Sequence, residues 1–141
     1  MEMADFNISV KDTLAHEGIN TNMGYVNDPT DRGGETIAGI ARKFHPSETI
    51  WLLVDNAKKG NFPQNLKDIS GILDKIKDFY RVNYWNKVHG DELKSQNIAN
   101  ILFDTAVLEG YTAAIKRAQN IIGVTANGVM SEELLTKLNE L

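Results

Sequence analysis

The stretch His16-Glu17-Gly18-Ile19-Asn20-Thr21-Asn22-Met23-Gly24-Tyr25-Val26-Asn27-Asp28-Pro29-Thr30-Asp31-Arg32-Gly33-Gly34-Glu35-Thr36 changes character at Glu17, and the rest of the chain is read outward from that change. Before it, Phe6, Val10 and Leu14 recur at every fourth position, the spacing of one helix face, so a helix starting near Asp5 is expected. Glu17 stands at the C-terminal end of that helix, where Gly18 can stop it by taking a left-handed conformation. From Ile19 to Glu35 the apolar period disappears. Asn, Thr, Gly, Asp and Pro dominate instead, which reads as turns or a short irregular hairpin.

Further along, Ile37, Ile40, Ala41 and Phe44 restore helical spacing until Pro46 ends it. Ser47 is placed to cap a helix carrying Ile50, Trp51, Leu53, Val54 and Ala57, which Gly60 closes. Leu66, Ile69, Leu73, Ile76 and Tyr80 trace one long helical face through to about Trp85. Asn97 to Leu108 is apolar nearly all round, which predicts a helix surrounded by others. Gly110 and Gly123 bracket another helix, Tyr111 to Ile122. Ser131 caps the last one, with Glu132 and Glu133 at its positive end. The expected architecture is mainly α, with about seven helices and a short turn-rich or hairpin segment after the first.

The 141 residues suffice for a self-supporting core without staples, and the chain has no cysteine for disulfides or thiolate metal sites. The charge is -4 and no Lys/Arg cluster is present, which argues against a nucleic-acid partner. No apolar run approaches a membrane span, so no membrane insertion is expected. Met1 to Val10 lacks a basic region followed by an apolar one, so no secretory signal is recognisable and synthesis in the cytoplasm is expected.

The chemistry lies in the opening stretch. Cleaving a glycosidic bond takes one carboxylic acid to protonate the leaving oxygen, plus a second polar group to stabilise the sugar cation or hold water. A glutamate at a helix end beside a cleft can keep its proton through desolvation. The glycine-rich segment that follows can fold back to present Asp31 and Thr36. Each residue also has a plainer reading. Glu17 could be a solvated helix-end acid, Asp31 an Asx-turn residue, Thr36 a helix cap and His16 a packing residue. Asn27, Asp28, Asp31 and Glu35 offer oxygen ligands but not at EF-hand spacing, and His16, His45 and His89 are far apart, so no metal is expected. Tyr25, in the polar loop, is the best aromatic for substrate contact, whereas Tyr84 and Trp85 read as core or cleft-wall packing. The pairs Lys58-Lys59 and Lys116-Arg117 read as solvated helix faces.

The residues His16-Glu17-Gly18, then Gly24-Tyr25, Asn27-Asp28-Pro29-Thr30-Asp31-Arg32-Gly33-Gly34-Glu35-Thr36 and Gly39-Ile40, resemble the signature of the endolysin-type N-acetylmuramidases of glycoside hydrolase family 108. The resemblance continues through Phe79-Tyr80-Arg81, Tyr84-Trp85, Phe103-Asp104-Thr105-Ala106-Val107, Gln119, Gly123-Val124 and Asn127-Gly128-Val129, in the family's order. It implies a lysozyme-like α+β fold. Residues 1–78 would form the catalytic part and 79–141 a helical peptidoglycan-binding part, packed as one compact unit with the first. It implies hydrolysis of the β-1,4 bond between N-acetylmuramic acid and N-acetylglucosamine in a peptidoglycan strand, without a cofactor. Glu17 would be the acid, with Asp31 and Thr36 completing the catalytic set; Tyr25, Asp28 and His16 are the expected substrate contacts. The enzyme would act on the cell wall after release, as endolysins do. Some members of the family carry the label of secretion activator.

The sequence departs from the pattern in three places. Ile19 to Met23 split the family's Gly-Gly-Tyr, Leu108-Glu109-Gly110 replaces the usual Asn-Gly after Ala-Val, and Asn127-Gly128-Val129-Met130-Ser131-Glu132 stands where an Asp-Gly-x-x-Gly-Pro is usual. The insertion could bulge harmlessly or displace Asp31. A catalytically inactive peptidoglycan-binding or secretion-associated module of the same fold is the alternative.

Overall fold

The structure, a computed structural model, describes residues 2–30 and 34–141. The chain divides into two compact units, one of Asp12–Phe79 and the other of Met1–Lys11 with Tyr80–Leu141. The fold is mainly α with a small antiparallel sheet, the α+β class expected of a lysozyme-like chain.

Helix α1 spans Phe6–His16. The Asp5 carboxylate starts it by accepting the Asn7 amide at 2.8 Å, the usual bond of an N-cap side chain. Three short strands follow, β1 (Val26–Asn27), β2 (Glu35–Ile37) and β3 (Ile40–Ala41), paired in that order. Val26 faces Thr36, Asn27 faces Glu35, Thr36 faces Ala41 and Ile37 faces Ile40.

The β2–β3 hairpin replaces the helix expected over Ile37 to Phe44. Its two turn residues, Ala38 and Gly39, have φ of 48° and 82°, as a type I′ turn requires. Such a turn places the residues three apart, Ile37 and Ile40, opposite each other and both buried. That is the same sequence spacing as a helix face, while Phe44, which would have extended the face, is exposed.

Helix α2 (Ile50–Ala57) buries Ile50, Trp51, Val54 and Ala57. Thr49 precedes it without a side-chain cap, so Ser47 does not cap it. The long helix expected from Leu66 to Trp85 is broken into pieces. A 3-10 turn spans Gln64–Asp68, Gly71 turns with φ of 81°, α3 runs Ile72–Tyr80, and the chain continues as a π-helical turn, Arg81–Trp85. Among the described residues there are therefore six α-helices where about seven are expected from periodicity.

In the other unit, α4 (Gln96–Glu109) and α5 (Tyr111–Ile122) pack together, with α6 (Glu132–Asn139) against α5. Ser95 and Ser131 cap α4 and α6 by accepting the amides of Ile98 and Leu134. Helix α4 is not enclosed as its composition predicts: Ala99, Leu102, Phe103 and Ala106 are buried, while Ile101 and Leu108 are 66% and 72% exposed. Its neighbours cover one face, and the apolar residues opposite stay in solvent. Trp85 is fully buried, its indole N–H donating to Asp91 at 2.8 Å. Gly90 lies flat on that ring, and a methyl group there would come within 2.2 Å of it. The buried Gln119 amide holds the 127–129 loop through Asn127, Gly128 and Val129.

Candidate functional site

Helix α1 ends in a Schellman turn built around Glu17. The Gly18 amide donates to Ala15 O at 3.2 Å and the Ile19 amide to Leu14 O at 3.0 Å, with Gly18 at φ of 77°. Glu17 is the C-cap residue of this turn, and its own amide still bonds Thr13 O at 3.0 Å. The backbone under the carboxyl is therefore fixed on both sides. Glu17 is half-buried, and among the described residues its carboxylate makes no hydrogen bond or ion pair. His16, the last residue of α1, is exposed, and among the described residues its ring makes no hydrogen bond.

The insertion after Gly18 closes on itself. Thr21 N bonds Gly18 O, Gly24 N bonds Thr21 O and Tyr25 N bonds Asn22 O, all at 2.9–3.0 Å, while Asn22 and Met23 adopt positive φ of 52° and 56°. Met23 is buried and anchors the excursion. The chain thus returns to where it left. A methyl on Gly18 would sit 3.7 Å from the Cα of Gly24, and one on Gly24 would sit 2.4 Å from the carbonyl oxygen of Glu17. The two glycines split in sequence are neighbours in space. Gly24 O in turn accepts the amide of Ala38 at 3.1 Å, tying the β2–β3 turn to the backbone beneath Glu17.

Thr36 lies in the middle of β2, half-buried, its hydroxyl 3.4 Å from Val26 O. It is a strand residue, not a helix cap. Asp28 is exposed and forms an Asx turn, accepting the Thr30 amide at 2.9 Å and the Thr30 hydroxyl at 2.7 Å. Those two bonds hold its carboxyl below the ordinary aspartate value. Asp31 lies outside the described residues. Among the described residues no group of three or more His, Cys, Asp or Glu is placed to hold a metal ion.

Tyr25 is half-buried, its ring edge-on to Phe62 at 4.7 Å and its hydroxyl donating to Glu35 Oε2 at 2.6 Å. Burial, then the hydrogen bond and charge of Glu35, push the phenol well above the ordinary tyrosine value. Glu35 also accepts Arg42 Nη1 at 2.9 Å and Lys58 Nζ at 2.6 Å. Burial pushes its carboxyl up, but the hydrogen bonds from Lys58, Tyr25 and Arg42 outweigh burial and leave it below the ordinary value. Arg42 grips Asp55 with two bonds of 2.7 Å, and Lys58 reaches the same carboxylate at 3.3 Å. Asp55 is held at about 2, chiefly by the Arg42 hydrogen bonds.

This cluster of Glu35, Arg42, Asp55 and Lys58 is not legible in the sequence, where its members are scattered. It also corrects the reading of Lys58 as a solvated helix face, because that ammonium bridges two carboxylates. The one local signal was Glu35 standing beside Thr36.

The family model described as Glycosyl hydrolase 108 matches residues 10–110, and the chain belongs to this family. A solved structure, that of Brucella abortus SagA, is 29% identical, with a TM-score of 0.63 over 96% of this chain and 69% of that one. No curated protein matches. The chain is thus a glycoside hydrolase by family, with a glycan as the substrate class.

Proposed function

We propose that this glycosyl hydrolase 108 chain is a muramidase that cleaves the β-1,4 bond between N-acetylmuramic acid and N-acetylglucosamine of peptidoglycan, with Glu17 as proton donor. One observation carries the reading. Within the family-matched stretch, Glu17 is a half-buried residue on a backbone locked by the Schellman turn, yet its carboxyl is engaged by no described residue. A general acid must keep its proton until the glycosidic oxygen takes it, so an acid held in an ion pair is unsuited to the role. The donors around Glu35, Asp55 and Asp28 favour the ionised form of each, which suits them less to donating a proton.

In this mechanism Glu17 protonates the bridging oxygen as the bond to the anomeric carbon breaks. The oxocarbenium ion is then stabilised by Asp31, or is met by a water that Asp31 and Thr36 orient. Hydrolysis adds the elements of water across the bond, leaving Glu17 to be reprotonated. The Asp28 carboxylate, the His16 ring and the Tyr25 ring are the substrate contacts in this reading. The site is reached when the protein, made in the cytoplasm, is released to the wall.

Product analysis tests the reaction class. Purified peptidoglycan digested with the protein and reduced with borohydride should yield muramitol at the new ends. Glucosaminitol at those ends would assign the other glycosidic bond. Binding to the sacculus without any new reducing ends would make the chain the inactive module and overturn the proposal.

A further inference from the structure

Four charges of alternating sign close a ring in the unit that carries Glu17. Arg42 and Lys58 each bridge the same two carboxylates, Glu35 and Asp55, and the Tyr25 hydroxyl enters at Glu35. Aromatic rings flank both cations, with the Arg42 guanidinium 5.2 Å from the Trp51 ring and the Lys58 ammonium 5.9 Å from that of Phe62. Ion pairs with three of four members this open to solvent return modest stability for the side-chain freedom they remove. What the ring does is fix geometry, and its position shows which geometry.

Tyr25 directly follows Gly24, whose backbone is pressed against the Glu17 carbonyl, and Glu35 directly precedes Thr36. The Tyr25–Glu35 bond therefore joins the residue after Gly24 to the residue before Thr36. Among the described residues the Thr36 hydroxyl has only a long bond to Val26 O, so its strand pairing with Val26 and Ala41 sets its position. Ala38, two residues beyond Thr36, bonds Gly24 O and makes the same link from the other side of the strand.

We propose that Glu35, acting through Tyr25 and braced by Arg42, Lys58 and Asp55, is a positioning residue that holds Thr36 in register with Glu17. The proposal rests on the muramidase reading above. It adds that the insertion of Ile19 to Met23 is tolerated because this bond, rather than chain length, fixes the two sides.

The test compares wild type with Tyr25→Phe, Glu35→Gln and, as a control outside the ring, Lys59→Met. Reducing-end release gives kcat and KM, and amide exchange is followed at Ala38, with Leu134 of the other unit as a reference. Misplacing a reacting group by a fraction of an ångström costs rate rather than binding, so Tyr25→Phe should lose roughly tenfold in kcat and Glu35→Gln more, with KM within about twofold. Ala38 exchange should quicken in both variants while Leu134 and the Lys59→Met control stay unchanged. A purely structural role would lower the melting temperature and leave kcat below that temperature untouched. The inference is overturned if kcat in both variants stays within about twofold of wild type, or if the loss appears in KM alone. Should Glu35→Gln not fold, Tyr25→Phe, which keeps the ring on Phe62, carries the comparison. If the wild type releases no ends at all, the muramidase reading fails by itself. Exchange at Ala38 then decides this one, and unchanged exchange in both variants overturns it.

Discussion

Gly24 bears two separate demands, and they can be told apart from those on Gly18. Both have positive φ, 70° and 77°, but a methyl on Gly24 would meet the Glu17 carbonyl at 2.4 Å, whereas one on Gly18 would make only ordinary contact at 3.7 Å. Gly18→Ala should therefore cost about 1–2 kcal/mol, the left-handed penalty alone. Gly24→Ala should cost more, about 2–4 kcal/mol, because the clash is with backbone that cannot rotate away. Urea unfolding of the two variants checks this, and equal costs would mean that the contact with Glu17 is not tight. Asp55 makes a second prediction at this scale. Its carboxyl is lowered from 3.8 to about 2 in the folded protein, so between those values the unfolded chain binds more protons. Its contribution to stability is present above about pH 4 and is lost as pH falls towards 2. Asp55→Asn should be less stable than wild type at pH 7, and the gap should close near pH 2 in parallel urea melts. A gap that persists at pH 2 would place the effect elsewhere than in the Arg42 and Lys58 pairs. Glu17 and Thr36 stand out in the sequence as candidates because their neighbours are distinctive. The ring around Glu35 could not, because Arg42 and Asp55 become partners only once the hairpin and α2 have formed.

Elements were legible where a cap agreed with a period. Helix α1 has apolar residues at every fourth position, starts next to Asp5 and is stopped by Gly18, as expected, and the structure adds the Asp5 side-chain cap. Helix α6 follows Ser131, whose hydroxyl accepts the Leu134 amide at 3.1 Å. Ser131→Ala should cost about 1 kcal/mol and Ser131→Asp should restore most of it, read as thermal midpoints. No loss in the alanine variant would mean that the cap is not formed in solution. The hairpin at Ile37–Ile40 was illegible because a type I′ turn and a helix bring together the same pair of positions. Only the glycine at 39, which a helix disfavours, spoke for the turn. The break at Gly71 had the same signal, a glycine inside an otherwise convincing helical face.

At the scale of the molecule, the first eleven residues count with the C-terminal unit, a grouping fixed by bonds across the sequence. Ala4 N reaches Leu93 O, the Asp5 amide donates to the Gln96 side chain, and Ser9 Oγ meets the Asn100 amide oxygen, all at 2.5–2.8 Å. Pairings of that range leave no local pattern in a sequence. The charge of -4 is legible at once and, on the proposed muramidase reading, has a consequence for action on an anionic wall. Repulsion between like charges is screened as the Debye length falls from about 30 Å at 0.01 M salt to about 8 Å at 0.15 M. Activity on whole cell walls should therefore rise over that range. A fall would mean that a local basic surface, rather than net charge, governs the encounter.

Glu17 is the proposed proton donor, so the decisive comparison is the rate of reducing-end release from purified peptidoglycan by wild type and by a folded Glu17→Gln. The amide keeps the shape of the side chain and the Schellman turn beneath it but has no proton to give. Loss of a general acid predicts a fall of about 10²- to 10⁴-fold with the fold intact by circular dichroism. A Glu17→Gln protein that releases ends at the wild-type rate would show that the proton comes from another residue.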